Sequence, residues 1–137
     1  MRVALVRYSV QRHLVTSVGG CRGRKIYEPP RYMSIPQAVL QLLEIEDQRN
    51  SGTLSAEKTL AIGMSRIGGG EEHQRIVCGT LGELASHPID VFGEPLHSLV
   101  IVGKRLHPLE VEFTEDFAIN RDTWRWVAQS IYECALD

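Results

Sequence analysis

The run Ser98-Leu99-Val100-Ile101-Val102-Gly103 constrains this chain more than any other stretch. Its apolar residues are consecutive rather than alternating, so a strand made of them turns hydrophobic side chains to both faces of its sheet. Such a strand must be covered on both sides by elements that carry an apolar face of their own. The sequence supplies candidates for that cover. Ser34 and Gln37 form the S-x-x-Q pattern of a capping box, and Pro36 is tolerable in the first turn, where its missing N–H has no partner to lose. Ile35, Ala38, Val39, Leu42 and Leu43 follow at helical spacing and predict one buried stripe, ended by Asn50-Ser51-Gly52. Thr80 and Glu83 repeat the capping signal for a short helix to about Ala85, with His87-Pro88 as its stop. Pro108 suits the first position of a further helix, with Leu109, Phe113 and Phe117 along one face. Trp124, Val127, Ala128, Ile131 and Ala135 predict a last amphipathic helix within 120–137, capped by Asp122 or Thr123, with Trp124 in the core.

Three further stretches read as strands: Val3 to Val10, interrupted by Arg7, then Thr59 to Ile67, then Gln74 to Cys78. Between the first and the Ser34 helix, the glycines of 19–23 predict a loop, and Pro29-Pro30 an extended path. Strands alternating with helices give the fold class, an α/β domain with a mixed β-sheet flanked by helices. At 137 residues this is one domain, divided into a basic lead-in over 1–22, the α/β body over 23–119 and the final helix. No apolar run approaches the ~20 residues of a membrane span. Cys21, Cys78 and Cys134 are odd in number and widely spaced, which fits reduced thiols and a cytoplasmic setting rather than a disulfide framework or a zinc site.

The net charge of −2 hides an asymmetry, since residues 1–31 hold seven bases and one acid, Glu28. A mitochondrial presequence, a nucleic-acid patch and a solvated basic lead-in all fit this pattern; few aromatics interleave the bases, and the solvated lead-in is preferred.

Ile67 runs into Gly68-Gly69-Gly70, three residues free to take positive φ and to approach a neighbour closely. Glu71 and Glu72 follow directly and would repel a phosphate, so the turn suits a flat, largely uncharged ligand resting at the strand end. His97 stands at the mouth of the buried strand after Gly93-Glu94-Pro95, and reads either as a satisfied structural histidine or as a ligand contact. His107 reads as a helix N-cap neighbour; Glu110, Glu112, Glu115 and Asp116 read as a solvated helix face; Glu28 and Glu94 are loop acids. None of the five histidines pairs at metal-ligand spacing, and no catalytic constellation stands out. The residues alone give an α/β domain with a candidate ligand edge at 66–70 and 93–97.

Three strings carry a resemblance: GRKIYEPPRYMSIPQAVLQLLEIEDQR (23–49), IGMSRIGGGEEHQRIVCGTLGEL (62–84) and FGEPLHSLVIVGKRLHPLEVEF (92–113). In order and spacing they resemble the carboxy-terminal half of the diphthine synthases. The resemblance implies a domain like the carboxy-terminal one of the tetrapyrrole-methylase fold and S-adenosylmethionine-dependent methyl transfer. It further implies S-adenosylhomocysteine as product, the modified histidine of translation elongation factor 2 as acceptor in diphthamide synthesis, and a homodimer. Neither a membrane nor nucleic acid is implied as a partner. Matched position by position, Ile67 and His97 are the implied contacts to the cofactor's adenosine end; no catalytic residue and no metal are implied.

The departures are as informative. The family's glycine-rich first loop, its aspartate and its Ser-Ile pair have no counterpart here, and MRVALVRYSVQRHLV stands where the family has a segment like LLDIK. Residues 120–137 match nothing in the family pattern. The chain therefore reads as a carboxy-terminal domain or a truncated gene, expected to be inactive alone. The alternative is a non-catalytic interaction module derived from the same family.

Overall fold

A computed structural model describes residues 4–6, as backbone, and 31–135. The loop expected at 19–23, the extended path at Pro29-Pro30 and most of the lead-in lie outside the described residues. Strand β1 (Ala4–Val6) is followed by α1 (Ile35–Arg49), β2 (Leu60–Ser65), β3 (Arg75–Thr80), α2 (Leu81–Ser86), a 3-10 turn (Ile89–Phe92), β4 (His97–Ile101), α3 (Pro108–Glu115) and α4 (Arg121–Ser130). The strands form a four-stranded sheet in the order β1-β4-β2-β3. Its ladders are antiparallel, with Ala4 opposite Ile101, Ala61 opposite Ile101, and Leu60 opposite Thr80. The parallel pairing among the described residues is the single bridge between Cys78 and Ala118.

Local chemistry sets the helix ends. At α1 the Ser34 hydroxyl accepts from the Gln37 amide at 3.4 Å, while the Gln37 side-chain oxygen accepts from the Ser34 amide at 3.2 Å. Asn50 ends the helix in the left-handed region at φ 49°, a conformation that asparagine tolerates better than most residues. Thr80 and Glu83 close the second capping box, and His107 caps α3 by accepting from the Leu109 amide at 3.2 Å.

The covering predicted for the apolar strand is present on both faces. Leu99 and Ile101 face α1 beside Ala61 and Val77, packed with Ile35, Ala38, Val39, Leu81, Leu84 and Phe92. On the other face Val102, Ile62, Leu60 and Cys78 meet Val111, Trp124, Val127 and Ala128 of α3 and α4. Burial pushes the Cys78 thiol up to about 12, which leaves almost no reactive thiolate near neutral pH. No helix among the described residues is long and apolar enough to cross a membrane.

Two expectations about the helices are corrected. The cap of α4 is Asn120, not Asp122 or Thr123; its side-chain oxygen accepts from both of their amides, at 3.0 and 3.1 Å. The helix stops at Ser130, after which Tyr132 turns back so that its hydroxyl accepts from the Leu60 amide at 3.0 Å. Leu109 and Phe113 do share a face of α3, but they are 66% and 68% exposed, and Val111 makes the buried contact.

Gly63 lies under α1, where a Cβ would fall 2.8 Å from Ile35 Cδ1 and 3.2 Å from Phe92 Cδ1. Gly63→Ala is expected to destabilise the chain by about 1–3 kcal/mol through overpacking. Ile35→Val removes the clashing methyl, so it should cost less in the Gly63→Ala background than alone. Urea denaturation of the four variants measures both terms.

Candidate functional site

The ends of β2 and β4 lie side by side, with Ser65 opposite His97 and Met64 opposite Ser98. Strand alternation sends Met64 and Ser98 to the α4 side of the sheet and Ser65 and His97 to the α1 side. The α3–α4 layer packs around Leu60, Cys78 and Val102, toward the other end of these strands. Beyond it a cleft of about 560 Å³ opens, lined by Tyr32, Met64, Arg66, Ile67, Pro95, Leu96 and Ser98. The lining is mostly apolar, and Ile67 is 58% exposed in it.

Arg66 ties the two rims together. Its Nε donates to the Pro95 carbonyl oxygen at 2.9 Å, and its Nη2 lies 2.9 Å from a Glu94 carboxylate oxygen. The Arg66 backbone sits at φ 46°, a left-handed conformation that costs a non-glycine residue roughly 1–2 kcal/mol. The chain then reverses through Gly68 and Gly70 at φ 88° and 80°. This turn is not an anion cradle. The Gly68 amide donates to the Gln74 side chain at 2.9 Å and the Gly69 amide to the Arg66 carbonyl at 2.9 Å, so both donors are engaged internally.

The residues singled out from sequence are thus placed differently. Ile67 is on the cleft wall. His97 begins β4, next to the cleft residue Ser98, but its ring turns away to the opposite face. There Nε2 lies 2.9 Å from the Gly93 carbonyl oxygen, and since a carbonyl only accepts, this nitrogen carries the proton. The other ring nitrogen, Nδ1, and the Ser65 hydroxyl are both buried with no hydrogen-bond partner among the described residues. Glu94, read from sequence as a loop acid, is engaged by Arg66. Asp116 pairs with Arg121 at 2.9 Å between exposed side chains, as on a solvated face. The Glu115 side chain, paired with Arg125 at 3.5 Å, is only 19% exposed, and Glu110 serves the His107 cap, so the expected solvated face is corrected at these two positions. The edge expected at 66–70 includes Arg66 without giving it a role, and Tyr32, Met64 and Ser98 fall outside the stretches singled out from sequence. The alternation of Met64 with Arg66, at the end of β2 and just past it, is the signal that could have found Met64.

Gly93 makes the turn into β4 possible. It sits at φ 72°, and a Cβ there would fall 2.9 Å from Arg75 Cγ and 3.1 Å from the Ser65 hydroxyl. Gly93→Ala is therefore expected to destabilise by about 1 kcal/mol or more and to displace the carbonyl that His97 holds. Hydrogen exchange should accelerate at 93–98 and stay unchanged in α1 and α4.

No family model matches the chain. A diphthine methyl ester synthase of Neurospora crassa is 46% identical over 111 residues, covering 81% of this chain and 37% of that protein. The one from Mus musculus is 52% identical over 101 residues, covering 72% and 34%. The one from Schizosaccharomyces pombe is 44% identical over 112 residues, covering 82% and 38%. Among solved structures, an Entamoeba histolytica protein assigned as a diphthine synthase superposes with a TM-score of 0.60 at 33% identity, over 68% of this chain and 34% of that one. A second diphthine synthase structure gives 0.52 at 29% identity, over 70% and 34%. The chain spans about a third of the length of these relatives. Over the residues it shares with them, the chain is a homologue of the carboxy-terminal part of the diphthine synthases.

Proposed function

We propose that this chain forms the adenosine-side rim of an S-adenosylmethionine-dependent methyltransferase acting on the modified histidine of translation elongation factor 2 in diphthamide synthesis. The observation that carries this reading is a juxtaposition. The segments around Ile67 and His97, far apart in sequence, meet at one sheet end and border a mostly apolar cleft. Such a wall fits an adenosine, a flat group whose faces are apolar and whose edges are polar.

In this reading Tyr32, Met64, Ile67 and Leu96 hold the purine by apolar contact, and the Ser98 hydroxyl offers a hydrogen bond to a polar edge. His97 acts by fixing the Gly93 turn with its ring rather than by touching the purine. S-adenosylmethionine, when bound, supplies an electrophilic methyl group and leaves as S-adenosylhomocysteine. The chain's own contribution is binding and orientation. The cleft is open, so these residues alone do not exclude water from a methyl donor, and the chain by itself binds without catalysing. The same reading includes a homodimer in the cytoplasm.

Calorimetry with S-adenosylhomocysteine tests this. Measurable affinity is expected, weakened about tenfold or more by Ile67→Asp, which sets an unpaired carboxylate against the purine. Absence of heat with the unsubstituted chain would overturn the assignment. Incubation with radiolabelled S-adenosylmethionine and elongation factor 2 from cells blocked in diphthamide synthesis should give no label transfer; clear transfer would overturn the claim that the chain alone is silent.

A further inference from the structure

The Arg66–Glu94 pair is a poor candidate for a stabilising device. Both side chains are largely solvated, at 44% and 76% exposure, and ion pairs of this kind contribute little to folding. Its geometry suggests another use. Nε and Nη2 are engaged with one segment, Glu94-Pro95, so the guanidinium is held along its edge. An arginine held by its edge keeps both planar faces free, and a guanidinium face stacks well on an aromatic ring. Arg66 also lines the cleft, with Tyr32, Ile67 and Leu96. The partners that fix its plane lie in the same backbone segment that forms the far rim.

We infer that Arg66 contacts the ligand directly, stacking its guanidinium on the purine, and that Glu94 is a positioning residue acting through Arg66. This rests on the adenosine reading above and goes beyond it by giving Arg66 and Glu94 roles. The contribution comes from planarity and preorganisation, because a guanidinium already fixed in place loses little freedom when the ligand arrives. Charge alone does not reproduce it. A lysine carries the same charge without the plane.

The test titrates the full chain with adenosine and with S-adenosylhomocysteine, in four forms: unsubstituted, Arg66→Lys, Arg66→Ala and Glu94→Gln. Arg66→Lys and Arg66→Ala should weaken adenosine binding alike, by about 3- to 30-fold, as loss of a cation–aromatic contact implies. Glu94→Gln should weaken it less, and should have no further effect in the Arg66→Ala background. On adding adenosine, the Arg66 Nε–H proton resonance should move upfield through the ring current of a stacked base, a signal that a merely structural role would not produce. An Arg66→Lys form that binds as tightly as the unsubstituted chain, or an Nε–H resonance that does not move, would overturn the stacking role. A Glu94→Gln effect that persists without Arg66 would overturn the positioning role. If the unsubstituted chain binds neither ligand, the adenosine reading itself fails; binding by the unsubstituted chain with indifferent variants sinks only the roles given to Arg66 and Glu94. Unchanged thermal unfolding of Arg66→Lys secures the comparison.

Discussion

Helix α1 can seat itself on the sheet only because position 63 carries no side chain. The Ile35 methyl and the Phe92 ring occupy the space that a Cβ would claim. That close approach closes the larger of the two cores, in which α1, the α2 residues Leu81 and Leu84, and the 3-10 turn meet Ala61, Val77 and Leu99. Ile35 is also the first residue of α1, directly after the Ser34 cap. The helix start is therefore fixed by its capping hydrogen bonds and by tertiary packing together. Tyr32, two residues upstream of the cap, owes its place in the cleft to that double fixing.

What is legible in the sequence is whatever rests on short-range chemistry. A capping box joins groups three residues apart, so Ser34-Gln37 and Thr80-Glu83 announce their helices without knowledge of the rest of the fold. Asn50 and Pro108 belong to the same class. The continuous apolar strand makes its own demand for cover, and both layers are there. The α/β class follows from these, although among the described residues the ladders are antiparallel and the parallel component shrinks to one bridge.

The failures have a common origin. Asn120, Asp122 and Thr123 are all capable caps, and the choice among them is made by the Cys78–Ala118 bridge, which delivers the chain to α4 with Asn120 at the turn. Leu109 and Phe113 are spaced as an apolar face, but whether a face is buried depends on what lies opposite it; Phe117, beyond the end of α3, does pack against the α4 core. His97 does stand at the mouth of β4, yet which side its ring takes is a matter of strand parity against the register with Ser65. Arg66 reads as polar punctuation at a strand end. Its partners are nearly thirty residues away, at Glu94 and Pro95.

The cleft draws its wall from three separate lengths of chain, entering at Tyr32, at Met64 to Ile67 and at Pro95 to Ser98. It consequently has no local existence. A peptide cut from any one length would keep its recognisable letters and lose the concavity altogether. The recess comes and goes with cooperative folding as a whole, and its shape is a property of the sheet's register rather than of any string that signals it.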